Sequence, residues 1–329
     1  MELLLDTYGL YLSKWEGAFL IQNDKIKKKV SPYQITGIAI TKACRISSEA
    51  ILLAVEHEIP IIFYDKQERP KARIWSSNYK TIAILRRRQI LFAHHKSNYI
   101  WVKDTLKSKI LSQINNLKKL ELKKGVLKFH IPKSINQMTT IYESIGDALL
   151  LAEYDVLNSL RGKEGAASSI YWNTVRESLS KILKIGNRRE RPAKDFFNAL
   201  LNYYYGMLYN KIEGAIISVG LDPYMAYMHS DEYNQPTLAY DLIEPFRPWA
   251  DFMLIELCIK GMLESSCFNK LPDGNIVMNT QAKRQFIMLF NSFMHQKELC
   301  GGKMLKRKSI IRKSTMELAR LITKTMSNE

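Results

Sequence analysis

Residues 220–247 read GLDPYMAYMHSDEYNQPTLAYDLIEPFR, and this stretch decides how the rest of the chain is interpreted. It places one histidine, His229, ahead of two acids, Asp241 and Glu244. The acids are spaced i,i+3, so on a helix they would share one face. Pro245 disfavours regular helix at the preceding residue, so the pattern predicts a kink that aims a carboxylate into a cleft.

Each of these residues also has an ordinary explanation. A histidine beside a loop is most often structural, and two acids at this spacing usually form a solvated helix face. The polar loop 230–236 separates His229 from Asp241, and it must fold back for the imidazole to approach the acids. The stretch alone leaves both interpretations open.

A second candidate, Glu164, lies in the segment RGKEGAASSIYW at residues 161–172. Its small neighbours, Gly162 and Gly165 among them, permit close helix packing, and an acid held there is costly unless it is paired or binds a metal ion. The alternative is an ordinary glutamate in the first turn of a helix. Tyr171 and Trp172 are candidates either for stacking on a frayed DNA end or for core packing.

Two or three acids and one imidazole from separate segments form a ligand set that suits Mg²⁺ or Mn²⁺. We expect one firmly held ion, because a two-metal site would need more carboxylates. The chain has no GxSxG motif and no GxxxxGK[ST] loop, which disfavours a serine hydrolase and an ATPase.

The chain has 329 residues and a formal net charge of +17, which predicts a polyanionic partner, most plausibly nucleic acid. The first residues, MELLLDTYGL, carry acids and no basic run, so we expect no signal peptide. No apolar run approaches the roughly 20 residues that span a bilayer. A cytoplasmic protein without a membrane partner is therefore expected.

Three basic clusters are candidates for phosphate contacts, although each could be only a solubilising surface. The first is Arg86, Arg87 and Arg88, the second is Lys118, Lys119, Lys123, Lys124 and Lys128, and the C-terminal cluster is Lys303, Lys306, Arg307, Lys308, Arg312 and Lys313.

The patterning predicts an α+β protein, with a small β-rich N-terminal domain over residues 1–75 that contains one helix beginning near Ser47. A hinge follows over residues 76–88, with the boundary at 76–78. A larger all-α catalytic domain occupies residues 89–329. Predicted helices include residues 138–160 and 166–183, which leaves Glu164 between two helices, and residues 238–261.

Four segments together give the chain a resemblance to the CRISPR adaptation integrase family, which inserts new spacers into the repeat array. They are LRGKEGAASSIYW at residues 160–172, FNALLNYYYGML at 197–208, GLDPYMAYMH at 220–229 and LAYDLIEPFR at 238–247. LRRRQI at residues 85–90 also fits the start of that family's helical domain. The order and spacing of the segments extend the resemblance over essentially the whole chain.

The resemblance implies that Glu164, His229 and Glu244 bind the metal ion and catalyse the reaction. It implies that Asp241 is a supporting acid and that Arg247 either binds phosphate or holds the acids in place. The implied partners are double-stranded DNA, as prespacer and as leader–repeat target, and a small ferredoxin-like second Cas protein. That protein would join homodimers of this chain in a heterohexamer.

The sequence departs from the family at two places, Ala226, where glycine is frequent, and the loop 230–235, which lacks the frequent basic residues. Neither departure removes a ligand, although the second could change how target DNA is held. The implied reaction is metal-assisted transesterification by a DNA 3′-hydroxyl. The alternatives are a branched-DNA repair nuclease or a transposase of the same fold, and a non-catalytic DNA-binding scaffold.

Overall fold

The computed structural model describes residues 2–35, 37–57, 59–64, 70–74, 82–150, 153–186, 193–229 and 235–327. The chain divides into two compact units, Met1–Ile82 and Ala83–Glu329. The boundary predicted at residues 76–78 lies outside the described residues. From Ile82 onward, the segment predicted as a hinge belongs to a helix, Ile82–Phe92.

The N-terminal unit is built from two four-stranded sheets and one helix. The first sheet has the order β1 (Glu2–Leu5), β5 (Gly37–Ile40), β7 (Ile61–Tyr64), β8 (Pro70–Ile74), and the second has the order β4 (Lys27–Val30), β3 (Ala18–Gln22), β2 (Tyr11–Trp15), β6 (Arg45–Ile46). In the first sheet β1, β5 and β7 are parallel, and β8 is antiparallel to β7. Helix α1 (Ser48–Glu56) begins after Ser47, whose side chain accepts a hydrogen bond from the amide of Ala50, as the sequence predicts for an N-cap.

Strand β4 is the element of this unit that the local sequence pattern does not predict. Its three lysines are exposed and only Val30 is buried, so it has no alternating apolar pattern. It forms because its backbone pairs with β3, where Phe19 lies opposite Val30. Pairing across strands thus outweighs an unfavourable local composition.

The second unit is a helical bundle with two small hairpins. Its helices are α2 (Ile82–Phe92), α3 (Lys96–Glu121), α4 (Ile131–Ser144), α5 (Glu153–Leu179), α6 (Phe196–Ser218), α7 (Thr237–Ile243), α8 (Arg247–Ile259), α9 (Thr280–His295) and α10 (Arg307–Thr325), and its strands are β9 (Phe268–Lys270), β10 (Ile276–Met278), β11 (Lys297–Cys300) and β12 (Lys303–Lys306). The sequence predicts an all-α domain here. The structure differs from this prediction by two hairpins, β9–β10 and β11–β12. None of the described helices is long and apolar enough to cross a membrane.

Helix α5 corrects the prediction of two helices with a break at Glu164. It runs without interruption through Gly162 and Gly165, so Glu164 lies in mid-helix and not in a first turn. Leu160 and Tyr171, which are fully buried in the core, hold the helix on both sides of the glycines. Their packing outweighs the roughly 1 kcal/mol by which each glycine disfavours helix.

The kink predicted before Pro245 is confirmed. Helix α7 ends at Ile243, a 3₁₀ turn covers Glu244–Phe246, and α8 begins at Arg247. This turn packs against α3, so the bend directs Glu244 toward the middle of that long helix.

Candidate active site

Three elements of the helical unit bring two acids to one buried cation. The ammonium of Lys109 on α3 donates hydrogen bonds to carboxylate oxygens of both Glu164 on α5 and Glu244 in the 3₁₀ turn. The side chains of Lys109 and Glu244 are only 7% and 6% exposed, and that of Glu164 is 22% exposed. The two acids singled out from the sequence therefore meet, around a lysine that the sequence argument did not select.

Glu164 has one further partner on its own helix. The hydroxyl of Ser168, one turn along α5, donates a hydrogen bond of 2.6 Å to Oε1 of Glu164. This contact fixes the carboxylate while leaving the acid partly accessible to solvent. Gly162 and Gly165 do not serve close helix packing as predicted, because a Cβ atom at either position would meet no atom of another described element within 4 Å.

Arg247 holds Glu244 from the opposite side. Its Nε donates a 2.8 Å bond to Oε1 of Glu244, and its guanidinium lies 4.7 Å from the ring centroid of Tyr205. The hydroxyl of Tyr205 in turn donates a 2.6 Å bond to the buried Asp251. Of the two roles expected for Arg247, holding the acids is therefore the one that its contacts support.

Electrostatics keep this cluster ionised despite its burial. Burial alone would raise the pKa of Glu244, but the charges of Arg247 and Lys109 lower it to about 2. Burial alone would lower the pKa of Lys109, but the carboxylates of Glu244 and Glu164 outweigh it and raise the net value. Lys109 and Glu244 are thus both charged at neutral pH.

His229 is held by the buried carboxylate of Asp241. Oδ1 of Asp241 lies 2.6 Å from the Nδ1 atom of His229 and accepts a 3.1 Å bond from its backbone amide. Oδ2 accepts bonds of 2.6 and 2.9 Å from the amides of Tyr227 and Met228. The backbone of the residues before the loop thus surrounds the carboxylate of Asp241. Asp241 contacts Nδ1 of the His229 ring and not Nε2. Residues 230–234 of the loop lie outside the described residues.

The pKa of His229 gives a prediction on pH. Burial alone would lower it, but the hydrogen bond and charge of Asp241, with Glu244, raise it above 6.5. In EDTA, we expect the ion pair to stabilise the fold fully below about pH 6.5 and to lose this effect as the pH rises through the raised pKa. An NMR titration of the imidazole, assigned with His229→Gln, measures this. A titration midpoint of the His229 imidazole at or below pH 6.5 would contradict the prediction. Asp222→Asn, a control in the same segment, should leave that midpoint unchanged.

The donor set fits a divalent metal ion in its chemistry. Two carboxylates converge on one cation, and His229 is oriented through its second nitrogen by a carboxylate, an arrangement typical of metal-ligating histidines. Within the described ranges, however, no three His, Cys, Asp or Glu side chains already form a group that could hold a metal ion. Lys109 instead occupies the position between two of the three proposed ligands.

The basic clusters differ in how far they are available for DNA. Arg86 and Arg87 on α2 are exposed, Arg88 is half-buried, and Lys303 and Lys306 of the β11–β12 hairpin are exposed. Two members of the C-terminal cluster, Arg307 and Lys308, are half-buried and contact other side chains.

Arg307 anchors the β11–β12 hairpin through its side-chain contacts, and its role as a DNA contact stays a prediction. Its side chain is only 15% exposed, its Nε donates a 2.8 Å bond to Glu298, and its guanidinium lies 3.8 Å from the ring centroid of Phe293. Lys308 is half-buried with its Nζ 3.4 Å from Nε2 of His295. Stacking on DNA is excluded for Tyr171, which is fully buried and packs edge-on against Trp172.

The sequence argument missed Lys109, although a signal for it was present. Helix α3 places Val102, Leu106 and Ile110 on its buried side, and Lys109 falls on the same stripe. A charged residue on an apolar stripe requires a buried partner. The polar Gln113 and Asn116 continue this stripe, and Asn116 donates hydrogen bonds to Tyr171 and to the carbonyl of Pro248.

Comparison with known sequences identifies the relatives of the chain. The sequence model of the family described as CRISPR associated protein Cas1 matches residues 3–292. Among curated proteins, the chain is 29% identical over 312 residues to the CRISPR-associated endonuclease Cas1 1 of Saccharolobus solfataricus, covering 88% of this chain and 80% of that protein. These matches confirm the resemblance drawn from the four sequence segments.

Solved structures share the fold at lower identity. A CAS1 protein from Thermotoga maritima superposes with a TM-score of 0.74 at 17% identity, covering 98% of this chain and 97% of that one. A casposase bound to integration product gives 0.67 at 22% identity, covering 98% and 96%. A partial Cas6-RT-Cas1–Cas2 complex gives 0.70 at 19%, covering 99% and 96%. These similarities confirm the predicted α+β class.

Proposed function

The chain belongs to the Cas1 family of CRISPR-associated proteins, and from that premise we propose that it is a metal-dependent DNA integrase of spacer acquisition. The observation that carries the proposal is the meeting of Glu164 and Glu244 on one buried cation. His229, oriented by Asp241 through Nδ1, supplies the third ligand from the neighbouring segment. Mg²⁺ or Mn²⁺ suits this mixed carboxylate and imidazole set.

The proposed reaction exchanges one phosphodiester for another. The 3′-hydroxyl of a short duplex attacks a phosphorus atom at the leader–repeat junction, one P–O bond forms, and the bond to the 3′-oxygen of the target strand breaks. The proton of the attacking hydroxyl is lost to solvent, and the leaving oxygen gains one. When bound, the ion polarises the phosphoryl oxygen and stabilises the charge on the leaving oxygen.

The residues of the chain provide orientation and charge for this reaction. Glu164, His229 and Glu244 hold the ion, and Asp241 fixes the ring of His229. Arg247 holds Glu244 in place and neutralises part of the negative charge that the acids and the DNA phosphates bring together. No covalent enzyme intermediate is required, because the attacking group belongs to the DNA.

The proposed partners follow from the relatives. One structural relative is bound to an integration product and another is part of a Cas1–Cas2 complex, which supports DNA and a small second Cas protein as partners of this chain. We propose further that the chain forms a homodimer and that homodimers assemble with that protein into a heterohexamer. The proposed location is the cytoplasm, beside the chromosomal array.

A strand-transfer assay tests this function. A labelled short duplex with free 3′-hydroxyls is mixed with the protein, its cognate second Cas protein, Mn²⁺ or Mg²⁺, and a supercoiled plasmid that carries the leader and repeat. We expect label to join this plasmid, and to join a plasmid without the repeat much less. Cleavage of branched DNA without joining would favour the repair nuclease, and DNA binding without either activity would favour the scaffold.

Lys303 and Lys306 are proposed phosphate contacts because both are exposed on the hairpin that Arg307 anchors. Since each phosphate contact contributes about 0.9 to the slope of log K against log salt, replacing both with alanine should reduce that slope by about 2. Fluorescence anisotropy on a short duplex across a salt series measures it.

Lys25→Ala with Lys28→Ala, in the N-terminal unit, removes the same charge from exposed positions. An equal loss of slope in this control would mean that net charge, and not the hairpin, determines the affinity.

A further inference from the structure

Lys109 is an unusual residue for the interior of a helical bundle. It lies on the buried stripe of α3, and its only hydrogen bonds within the described residues go to Glu164 and Glu244. Burying an ammonium group is costly, and the attraction of two carboxylates compensates for that cost. The position of the ammonium between two metal-binding candidates therefore needs an explanation beyond packing.

The charges of the cluster are balanced without a metal ion. Lys109 and Arg247 together oppose Glu164 and Glu244, and His229 faces its own carboxylate, Asp241. Adding a divalent cation to this arrangement would place two uncompensated positive charges in a largely buried site. Removing the ammonium at the same time leaves an excess of one, which the carboxylate of Asp241 balances because His229 must be neutral to bind a metal ion.

Of the two cations, Lys109 is the one that can leave. Arg247 is stacked over Tyr205, whose hydroxyl is bonded to the buried Asp251, so its guanidinium is fixed on two sides. Lys109 carries its charge on a flexible four-carbon stem, and its ammonium has no such stacking partner among the described residues. A change of conformation along this stem would move the ammonium away from the two carboxylates.

We propose that Lys109 is the resident cation of the metal-free site, and that a divalent metal ion exchanges with its ammonium between Glu164 and Glu244. The exchange rests on the metal site of the proposed function. The lysine holds the two acids together until the ion arrives, so the acids are pre-positioned but occupied.

Replacing Lys109 with methionine tests the exchange directly in the DNA-free, full-length protein. Without the competing ammonium, we expect the dissociation constant for Mn²⁺, measured by calorimetry, to fall at least about tenfold. In EDTA the variant should melt below wild type, because Glu164 then loses its ammonium partner and Glu244 keeps only Arg247. Mn²⁺ should raise the melting temperature of the variant more than that of wild type.

Lys123→Met is the matched control, because Lys123 also forms an ion pair with a glutamate, Glu256, but is 36% exposed and lies away from the site. It should change neither Mn²⁺ affinity nor the Mn²⁺-dependent rise in melting temperature. If Lys109→Met does not fold in EDTA or in Mn²⁺, Lys109→Gln, which is neutral and polar, takes its place in the same measurements.

Unchanged or weaker Mn²⁺ binding by the Lys109 variants would overturn the exchange, because it would mean that the lysine remains in place and supports the metal-bound acids. Absence of Mn²⁺ binding by wild type and variants alike would overturn it as well. Both readouts are independent of DNA joining. A protein that shows the tighter binding but joins no DNA would retain the exchange and lose the integrase function.

Discussion

Replacing Glu164 with glutamine is expected to reduce DNA strand joining by roughly 10³-fold or more while leaving DNA binding nearly unchanged. The amide keeps the size of the side chain and its contact with Ser168, but it loses the charge that attracts a cation. Because Glu164 is 22% exposed, the fold should tolerate the change. Joined label in the strand-transfer assay, and duplex affinity by anisotropy, measure the two effects.

Glu244→Gln should abolish joining to a similar extent, but with an added loss of stability. Glu244 is buried against two cations, so its neutral replacement leaves Lys109 paired with Glu164 alone and removes the ion pair of Arg247 with residue 244. The double variant should lose little more activity than either single one, because both acids serve one ion.

Glu256→Gln provides the matched control for both acids. It removes a lysine-paired carboxylate from the same helical unit, but one that lies outside the site. Its joining activity should stay within about twofold of wild type. If Glu164→Gln joined DNA as efficiently as this control, the assignment of Glu164 would be wrong.

Replacing Asp241 with alanine is expected to have the largest effect on stability, about 3 to 5 kcal/mol. The carboxylate is 1% exposed and accepts three backbone N–H groups, those of Tyr227, Met228 and His229. It also holds the imidazole of His229, so all these donors would lose their acceptor together. Urea unfolding in EDTA measures the change, and joining activity should be lost with it because His229 is no longer positioned.

Asp222→Asn is the control for this prediction, because it lies in the same segment but accepts a single amide, that of Tyr224, at a more exposed position. It should cost less than about 1 kcal/mol. A loss of similar size for Asp241→Ala would show that the residues before the loop hold their position without this carboxylate.

Residue types and spacing marked Glu164, His229, Asp241 and Glu244 as candidates, and the resemblance to the integrase family gave them their proposed roles. The i,i+3 acids before Pro245 also predicted the bend between α7 and α8, since proline restricts the residue before it wherever it occurs. These are local effects, so a single sequence carries them. They did not reveal that Asp241 binds three amides, because those donors lie 12 to 14 residues away along the chain.

The continuity of α5 could not be read from its local sequence. Gly162 and Gly165 lower helix propensity, which favoured a break, whereas burial of Leu160 and Tyr171 stabilises the unbroken helix. Burial is a property of the neighbouring helices and not of the segment. Arg307 and Lys303 are likewise indistinguishable from local sequence, since both are basic residues of one cluster. Only their contacts in the folded protein show that Arg307 is an anchor and Lys303 an exposed charge.

The sequence by itself determined the broad division into a strand-rich and a helical part and the positive charge that predicts a polyanionic partner, because both depend on residue type and short-range spacing. It also marked the acids and the histidine as candidates for the site. The tertiary structure alone decided which charges meet. Lys109 is distant in sequence from both Glu164 and Glu244, and only the packing of α3 against α5 and the 3₁₀ turn brings its ammonium between them. Electrostatic pairing inside a protein depends on distance in space and on burial, and neither is defined until the chain has folded.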